Sequence, residues 1–91
     1  MNIKIPVPKG CRSYSVPLVD IVRVENCSLT FFNTSAHNLY IIEKARKGEE
    51  SFSLYSYRHK KDMLFALQTI TDLLKKKSVK SVVLELEPMK S

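Results

Sequence analysis

The chain has 91 residues, of which 44% are hydrophobic and 26% charged, and a formal net charge of +6. This balance is typical of a small folded domain and excludes a disordered, low-complexity segment. A chain of this length buries only about 60 to 65% of its unfolded surface, so it forms one small domain, either alone or as part of a longer protein.

Membrane spans and structural zinc are not indicated. No apolar run approaches the roughly 18 residues of a transmembrane helix, and the N-terminal residues lack the apolar core of a secretory signal. Cys11 and Cys27 have neither a CxxC partner nor clustered histidines, which predicts free thiols. These features together predict a cytoplasmic, intracellular protein.

The first elements are short strands. Apolar residues alternate from Ile3 to Val7, and Pro6 and Pro8 restrict this strand to a sheet edge or an entry position. Residues 13–26 are dense in β-branched residues and predict further strand, with a break at Pro17.

A turn and a hairpin follow. Asn26 to Ser28 are predicted to form a turn, and residues 28–34 a short strand closed by the polar cluster of residues 33–38. The runs NLYIIEKA and SFSLYSY then alternate around the charged loop RKGEE, which predicts a β-hairpin. Gly48 is predicted to take the left-handed conformation in that loop.

An amphipathic helix is predicted over about residues 60–77. Asp62 places a negative charge in its first turn, which favours the positive end of the helix dipole. At 100° per residue Phe65 points almost opposite the apolar stripe. The stripe consists of Met63, Ala66, Leu67, Ile70, Leu73 and Leu74.

The last element is a strand over about residues 80–87. Val82, Leu84 and Leu86 alternate there with a second set that contains Glu85 and Glu87, and the strand is predicted to join a sheet edge. The order of elements therefore predicts an α+β fold, in which an antiparallel sheet of short strands carries one C-terminal helix and a final strand.

Residues of about 14–74 resemble the second half of a pleckstrin-homology-like (PH-like) domain. The matching segments are SVPLVDIVRVEN, NLYIIEKARKGEESFSLYSY and KDMLFALQTITDLL. Met63 stands where that family usually has tryptophan, and the region before Ser13 is too short for three opening strands. The resemblance therefore implies a shortened or split version of the fold, and with it a binding module for proteins, peptides or phosphoinositides.

Candidate partner-binding residues come from basic clusters and aromatic side chains. If Phe52 and Leu54 face the core, Tyr55 and Tyr57 point outward beside the basic residues that precede the helix. The candidates are Lys44, Arg46, Lys47, Tyr55, Tyr57, Arg58, Lys60, Lys61 and Phe65.

Two functions follow from these residues. One is a non-catalytic interaction module for a protein or peptide, with an anionic phospholipid surface as a variant. The other is a small basic nucleic-acid-binding protein, which a continuous positive stripe would favour, whereas isolated clusters around an apolar groove favour protein. Homodimerisation through an edge strand is a further prediction.

No catalytic activity is predicted. With only Gly10 and Gly48 the chain cannot form a glycine-rich phosphate loop, and nothing assigns His37 or His59 as a base. The sequence accordingly predicts no catalytic residue, cofactor or metal ion.

Overall fold

The computed structural model describes residues 1–32, 34–76 and 81–89, without the side chains of Phe31 and Arg46. Within these ranges the chain forms six strands and one α-helix. They are β1 (Asn2–Val7), β2 (Tyr14–Pro17), β3 (Ile21–Phe31), β4 (Thr34–Lys44), β5 (Glu50–Tyr57), α1 (Lys60–Lys75) and β6 (Val83–Pro88). The predicted α+β class, with one helix and a final strand, is confirmed.

The strands form two three-stranded sheets. The terminal sheet has the order β1-β6-β2, and the central sheet has the order β3-β4-β5. β1 runs parallel to β6, with Ile3 opposite Leu84, whereas every other pair is antiparallel. The parallel pair brings the two ends of the chain together, and the amine of Met1 donates a hydrogen bond to the Ser81 carbonyl at 3.2 Å.

Of the two strands predicted to lie at a sheet edge, β1 does and β6 does not. β1 lies at an edge of the terminal sheet, as the prolines predicted, because a proline cannot donate a hydrogen bond to a second neighbour. The prediction that the final strand joins an edge is wrong, since β6 pairs with β1 on one side and with β2 on the other. The start predicted for this strand at residue 80 lies outside the described residues.

The break at Pro17 is confirmed, because a single 3₁₀ turn (Leu18–Asp20) separates β2 from β3. The turn predicted at Asn26 to Ser28 is wrong: β3 continues to Phe31 and pairs with β4 along this stretch. The first half of β4 likewise replaces the predicted polar loop, except for Asn33, which is not among the described residues. Thr34 and Ser35 are exposed to water there, whereas Asn38 is buried and accepts a hydrogen bond from Ser56 Oγ at 2.7 Å.

The β4–β5 hairpin has the predicted form. Lys44 pairs with Glu50 across a loop in which Gly48 has a φ of 76° and Lys47 a φ of 64°. Glycine adopts this left-handed conformation without the steric cost that a Cβ atom brings. The predicted place of Gly48 is therefore confirmed.

One core joins both sheets to α1. The predicted helix stripe is confirmed, since Met63, Ala66, Ile70 and Leu73 are buried and the other two residues pack against them. The residues that the sheets contribute are Ile5, Val7, Val16, Ile21, Leu39, Ile41, Tyr55, Tyr57, Leu84 and Leu86. The helix end predicted at Lys77 falls outside the described residues.

No helix in the described part of the chain has both the length and the apolarity of a membrane span.

Candidate functional site

The orientation predicted for β5 is wrong. Tyr55 and Tyr57 are only 8% and 1% exposed, whereas Phe52 is 66% exposed. Leu39 and Tyr55 are cross-strand partners, and such partners share one face of a sheet. Because Leu39 is fully buried in the core, this register turns Tyr55 inward and Phe52 outward.

Tyr57 connects the two sheets and is not exposed at the surface. Its hydroxyl donates a hydrogen bond to the carbonyl oxygen of Pro6, in β1, at 2.6 Å. Burial in the core raises the pKa of Tyr57 above its ordinary value, and burial raises the pKa of Tyr55 as well. Both tyrosines are therefore part of the folded core, and neither is available to a partner.

The side of the central sheet that faces away from α1 is apolar; we call it the outer face. Tyr40, Ile42, Phe52 and Leu54 lie there, with the rings of Tyr40 and Phe52 6.0 Å apart between centroids. Ile42 is only 6% exposed although it does not belong to the core cluster. Its cover comes from the side chains with which it lines a shallow cavity of 280 Å³.

A charged bridge crosses the outer face. Arg23 Nε donates to Glu25 Oε1 at 3.1 Å, and Arg23 Nη1 donates to Glu50 Oε2 at 3.3 Å. The hydrogen bond to Glu25, together with the charge of Glu50, raises the pKa of the Arg23 guanidinium. The bridge links β3 to β5 across β4, so it holds a cation beside the exposed ring of Phe52.

The outer face is electrically balanced. Lys44 pairs with Glu50 across the strands and lies on the same face by alternation. The positive charges of Arg23 and Lys44 thus balance the negative charges of Glu25 and Glu50, although the net charge of the whole chain is +6. The positive excess of the protein is consequently carried by other surfaces.

The remaining predicted site residues occupy separate places. Lys44 and Lys47 are exposed at the β4–β5 loop, where the side chain of Arg46 is not described. Phe65 is 58% exposed on α1, as predicted, with Leu64 42% exposed beside it. Lys60 and Lys61 are exposed in the first turn of α1.

A second cleft, of 580 Å³, lies where β5 meets α1. Arg58 and His59 line it together with Lys9 from the loop after β1. Asp62 also lines the cleft, so its positive charge is partly offset. The structure thus adds Lys9 to the basic cluster that the sequence placed before the helix.

One side-chain pair resembles part of a catalytic arrangement. Ser28 Oγ lies 3.0 Å from His37 Nδ1, and the two residues are cross-strand partners on the β3–β4 hairpin. A nucleophilic serine also needs a group that orients the histidine and donors for an oxyanion. Among the described residues no carboxylate forms a hydrogen bond with His37, so the pair carries no catalytic assignment.

The outer face was not predicted from the sequence. Besides Lys44, which was among the candidates, its residues are Arg23, Glu25, Tyr40, Ile42, Glu50, Phe52 and Leu54. The available signal was that the run LYII in β4 is apolar in both phases of a strand. A strand of this kind has two apolar faces, of which a single core covers only one.

Comparison with protein-family models, with curated proteins and with solved structures finds no match to this chain. The resemblance to a PH-like domain accordingly stays a prediction.

Proposed function

We propose that the protein is a non-catalytic interaction module whose outer face binds a protein or peptide partner. The observation that carries this proposal is the position of Phe52 and Leu54, 66% and 48% exposed, on a sheet surface opposite the core. Contiguous apolar patches on a small domain are typical of binding sites, and aromatic and arginine side chains contribute most of the binding energy at such sites.

The distribution of charge favours a protein partner over nucleic acid. A nucleic-acid-binding surface gains most of its affinity from lysine and arginine residues that follow the phosphate backbone. Here the apolar outer face is balanced in charge, and the exposed basic residues lie in separate groups at the β4–β5 loop, the second cleft and the ends of α1. Isolated basic clusters around an apolar surface are the arrangement expected of a protein-binding domain.

A displayed peptide library selected on immobilised protein tests the proposal. We expect enriched peptides to lose at least about tenfold in affinity when Phe52→Ser removes the central aromatic ring, since one such anchor contributes about 1.4 kcal/mol or more. Leu64→Ser is the control, because it removes an apolar side chain that is 42% exposed on α1, away from the outer face. Peptides that respond to Leu64→Ser and not to Phe52→Ser would contradict the proposal.

An anionic phospholipid surface is a second candidate ligand, and the second cleft supports it. Lys9 and Arg58 are 49 positions apart in the chain, yet both line this cleft together with His59. Sedimentation with phosphatidylserine vesicles should show binding that weakens with salt and is reduced by Arg58→Glu. Lys75→Glu changes the charge equally at the far end of α1 and should have a smaller effect.

A further inference from the structure

The protein exposes more surface than its mass requires. Folded monomers of 10.5 kDa expose about 5,400 Å² on average, whereas this chain exposes 6604 Å², an excess of about 1,200 Å². A protein–protein interface of standard size covers about 800 Å² on each partner. The excess is therefore large enough for one complete interface.

The outer end of the β3–β4 hairpin contributes to this surface. Every residue from Glu25 to Thr30 is exposed although the side chains alternate between two faces, so neither face is covered there. Leu29 is 57% exposed and lies, by alternation from Arg23, on the same side as the outer face. The apolar surface consequently has a second contact point beyond the cavity that Phe52 lines.

These two contact points fit a two-fold arrangement. Arg23 lies level with Ile42 and Phe52, and Leu29 lies six residue steps further along β3, a distance of about 20 Å at 3.4 Å per residue. If two outer faces stack in antiparallel orientation, Leu29 of each copy lies over Phe52 of the other. A two-fold interface consists of such reciprocal contacts.

The charges permit the same arrangement. Two copies with a net charge of +6 repel each other, but the outer face contributes two positive and two negative side chains. Association through this face therefore places the balanced part of each surface in the interface and leaves the excess positive charge in solvent.

Building on the proposed function, we infer that the occupant of the outer face is a second copy of this chain. The two central sheets stack face to face, with Leu29 of each copy against Phe52 of its partner. The pair then forms a sandwich of two sheets, for which a separation of about 10 Å is usual.

Sedimentation equilibrium on the whole chain tests this inference. We expect the wild-type chain to be dimeric at a concentration of about 100 µM. The dissociation constant of the dimer should be at least about tenfold larger for Leu29→Glu and for Phe52→Glu. Leu64→Glu is the matched control and should leave the dimer intact, because it lies on α1. Far-ultraviolet circular dichroism and urea unfolding establish that each variant is folded.

Charge complementation then tests the orientation of the two copies. In an equimolar mixture, Leu29→Lys and Phe52→Glu chains should form a heterodimer, because one of the two reciprocal contacts becomes an ion pair and the other remains native. Each variant alone should be monomeric. A wild-type chain that stays monomeric, a dimer that survives both Glu substitutions, or a mixture without heterodimer would overturn the arrangement.

The outcomes separate this inference from the proposed function. If the wild-type chain is monomeric while selected peptides still depend on Phe52, the second copy is wrong and the interaction module stands. If peptide binding also ignores Phe52→Ser, both are wrong.

Discussion

The outer surfaces of the two sheets differ in chemistry although their inner surfaces share one core. On the terminal sheet, Lys4 Nζ lies 3.8 Å from Glu87 Oε2, and Asn2 Nδ2 donates to Glu85 Oε1 at 2.9 Å. On the central sheet, the equivalent positions hold Tyr40, Ile42, Phe52 and Leu54. Polar side chains thus meet solvent on one sheet and apolar side chains on the other.

The difference separates surface chemistry that folding explains from surface chemistry that folding does not explain. An antiparallel sheet with one buried face ordinarily has polar side chains on the other, and the terminal sheet follows this pattern. The central sheet departs from it without gaining core contacts, since Phe52 and Leu54 remain exposed. The proposed partner would cover this apolar surface, which the core does not use, and the following predictions test that division.

The largest difference in stability is expected between substitutions on opposite faces of β5. Tyr57→Ala should lower the free energy of unfolding by about 3 to 5 kcal/mol, because it leaves a cavity in the core and removes the hydrogen bond to Pro6. Phe52→Ala should lower it by less than about 1 kcal/mol, since that ring is 66% exposed. Urea unfolding at low protein concentration measures both values.

Equal losses for the two variants, or a larger loss for Phe52→Ala, would mean that β5 faces the other way. Ser53→Ala is a useful control on the same face as Tyr57, because it leaves no large cavity and removes only the hydrogen bond to Tyr55, so it should cost about 1 kcal/mol.

β5 also shows where prediction from the sequence ends. The helix stripe, the break at Pro17 and Gly48 follow from local periodicity and backbone preference, and all three are confirmed. In β5 the apolar phase changes between Leu54 and Tyr55, so alternation alone cannot identify the buried face. The choice depends on the register with β4 and on the contact of Tyr57 with Pro6, which are tertiary features.

The parallel pairing of β1 with β6 could not be predicted from the sequence for a related reason. Its partners, such as Ile3 and Leu84, are separated by nearly the whole chain, and neither strand carries a local signal of its neighbour. Prediction of the outer face likewise requires the strand pairing, because Arg23, Ile42 and Phe52 become neighbours only when β3, β4 and β5 have paired.

The second prediction uses pH to report on the buried face of β5. Burial raises the pKa of Tyr57 and Tyr55 in the folded state, so these groups hold their protons after the unfolded chain has lost them. Their contribution to stability is complete below the unfolded pKa of about 10 and is lost as the pH rises further. Above pH 10 the raised pKa of Tyr57 should make the free energy of unfolding fall by about 1.4 kcal/mol per pH unit, and Tyr55 should add to this fall.

Urea unfolding at a series of alkaline pH values should give a shallower slope for Tyr57→Phe than for the wild type, because the variant has one titrating group fewer. At pH 8 the same variant should be less stable by about 1 kcal/mol, since the hydrogen bond to Pro6 is lost. An unchanged alkaline slope would show that Tyr57 does not titrate from a buried position.

The third prediction concerns a substitution that makes the outer face of the central sheet more polar, like that of the terminal sheet. Leu54→Thr replaces a 48% exposed apolar side chain with a β-branched polar one that suits a strand. The free energy of unfolding should change by no more than about 0.5 kcal/mol, because no core contact is removed. Fluorescence of an apolar dye such as anilinonaphthalene sulfonate should decrease, and Leu64→Thr on α1 provides the comparison.

The smallest effect is expected on the terminal sheet. Lys4→Gln removes the ion pair with Glu87, whose side chains are 72% and 47% exposed, and water already screens a pair of this kind. The free energy of unfolding should therefore change by less than about 0.5 kcal/mol, at low and at high salt alike. A loss above about 1 kcal/mol would mean that the terminal outer face contributes to folding.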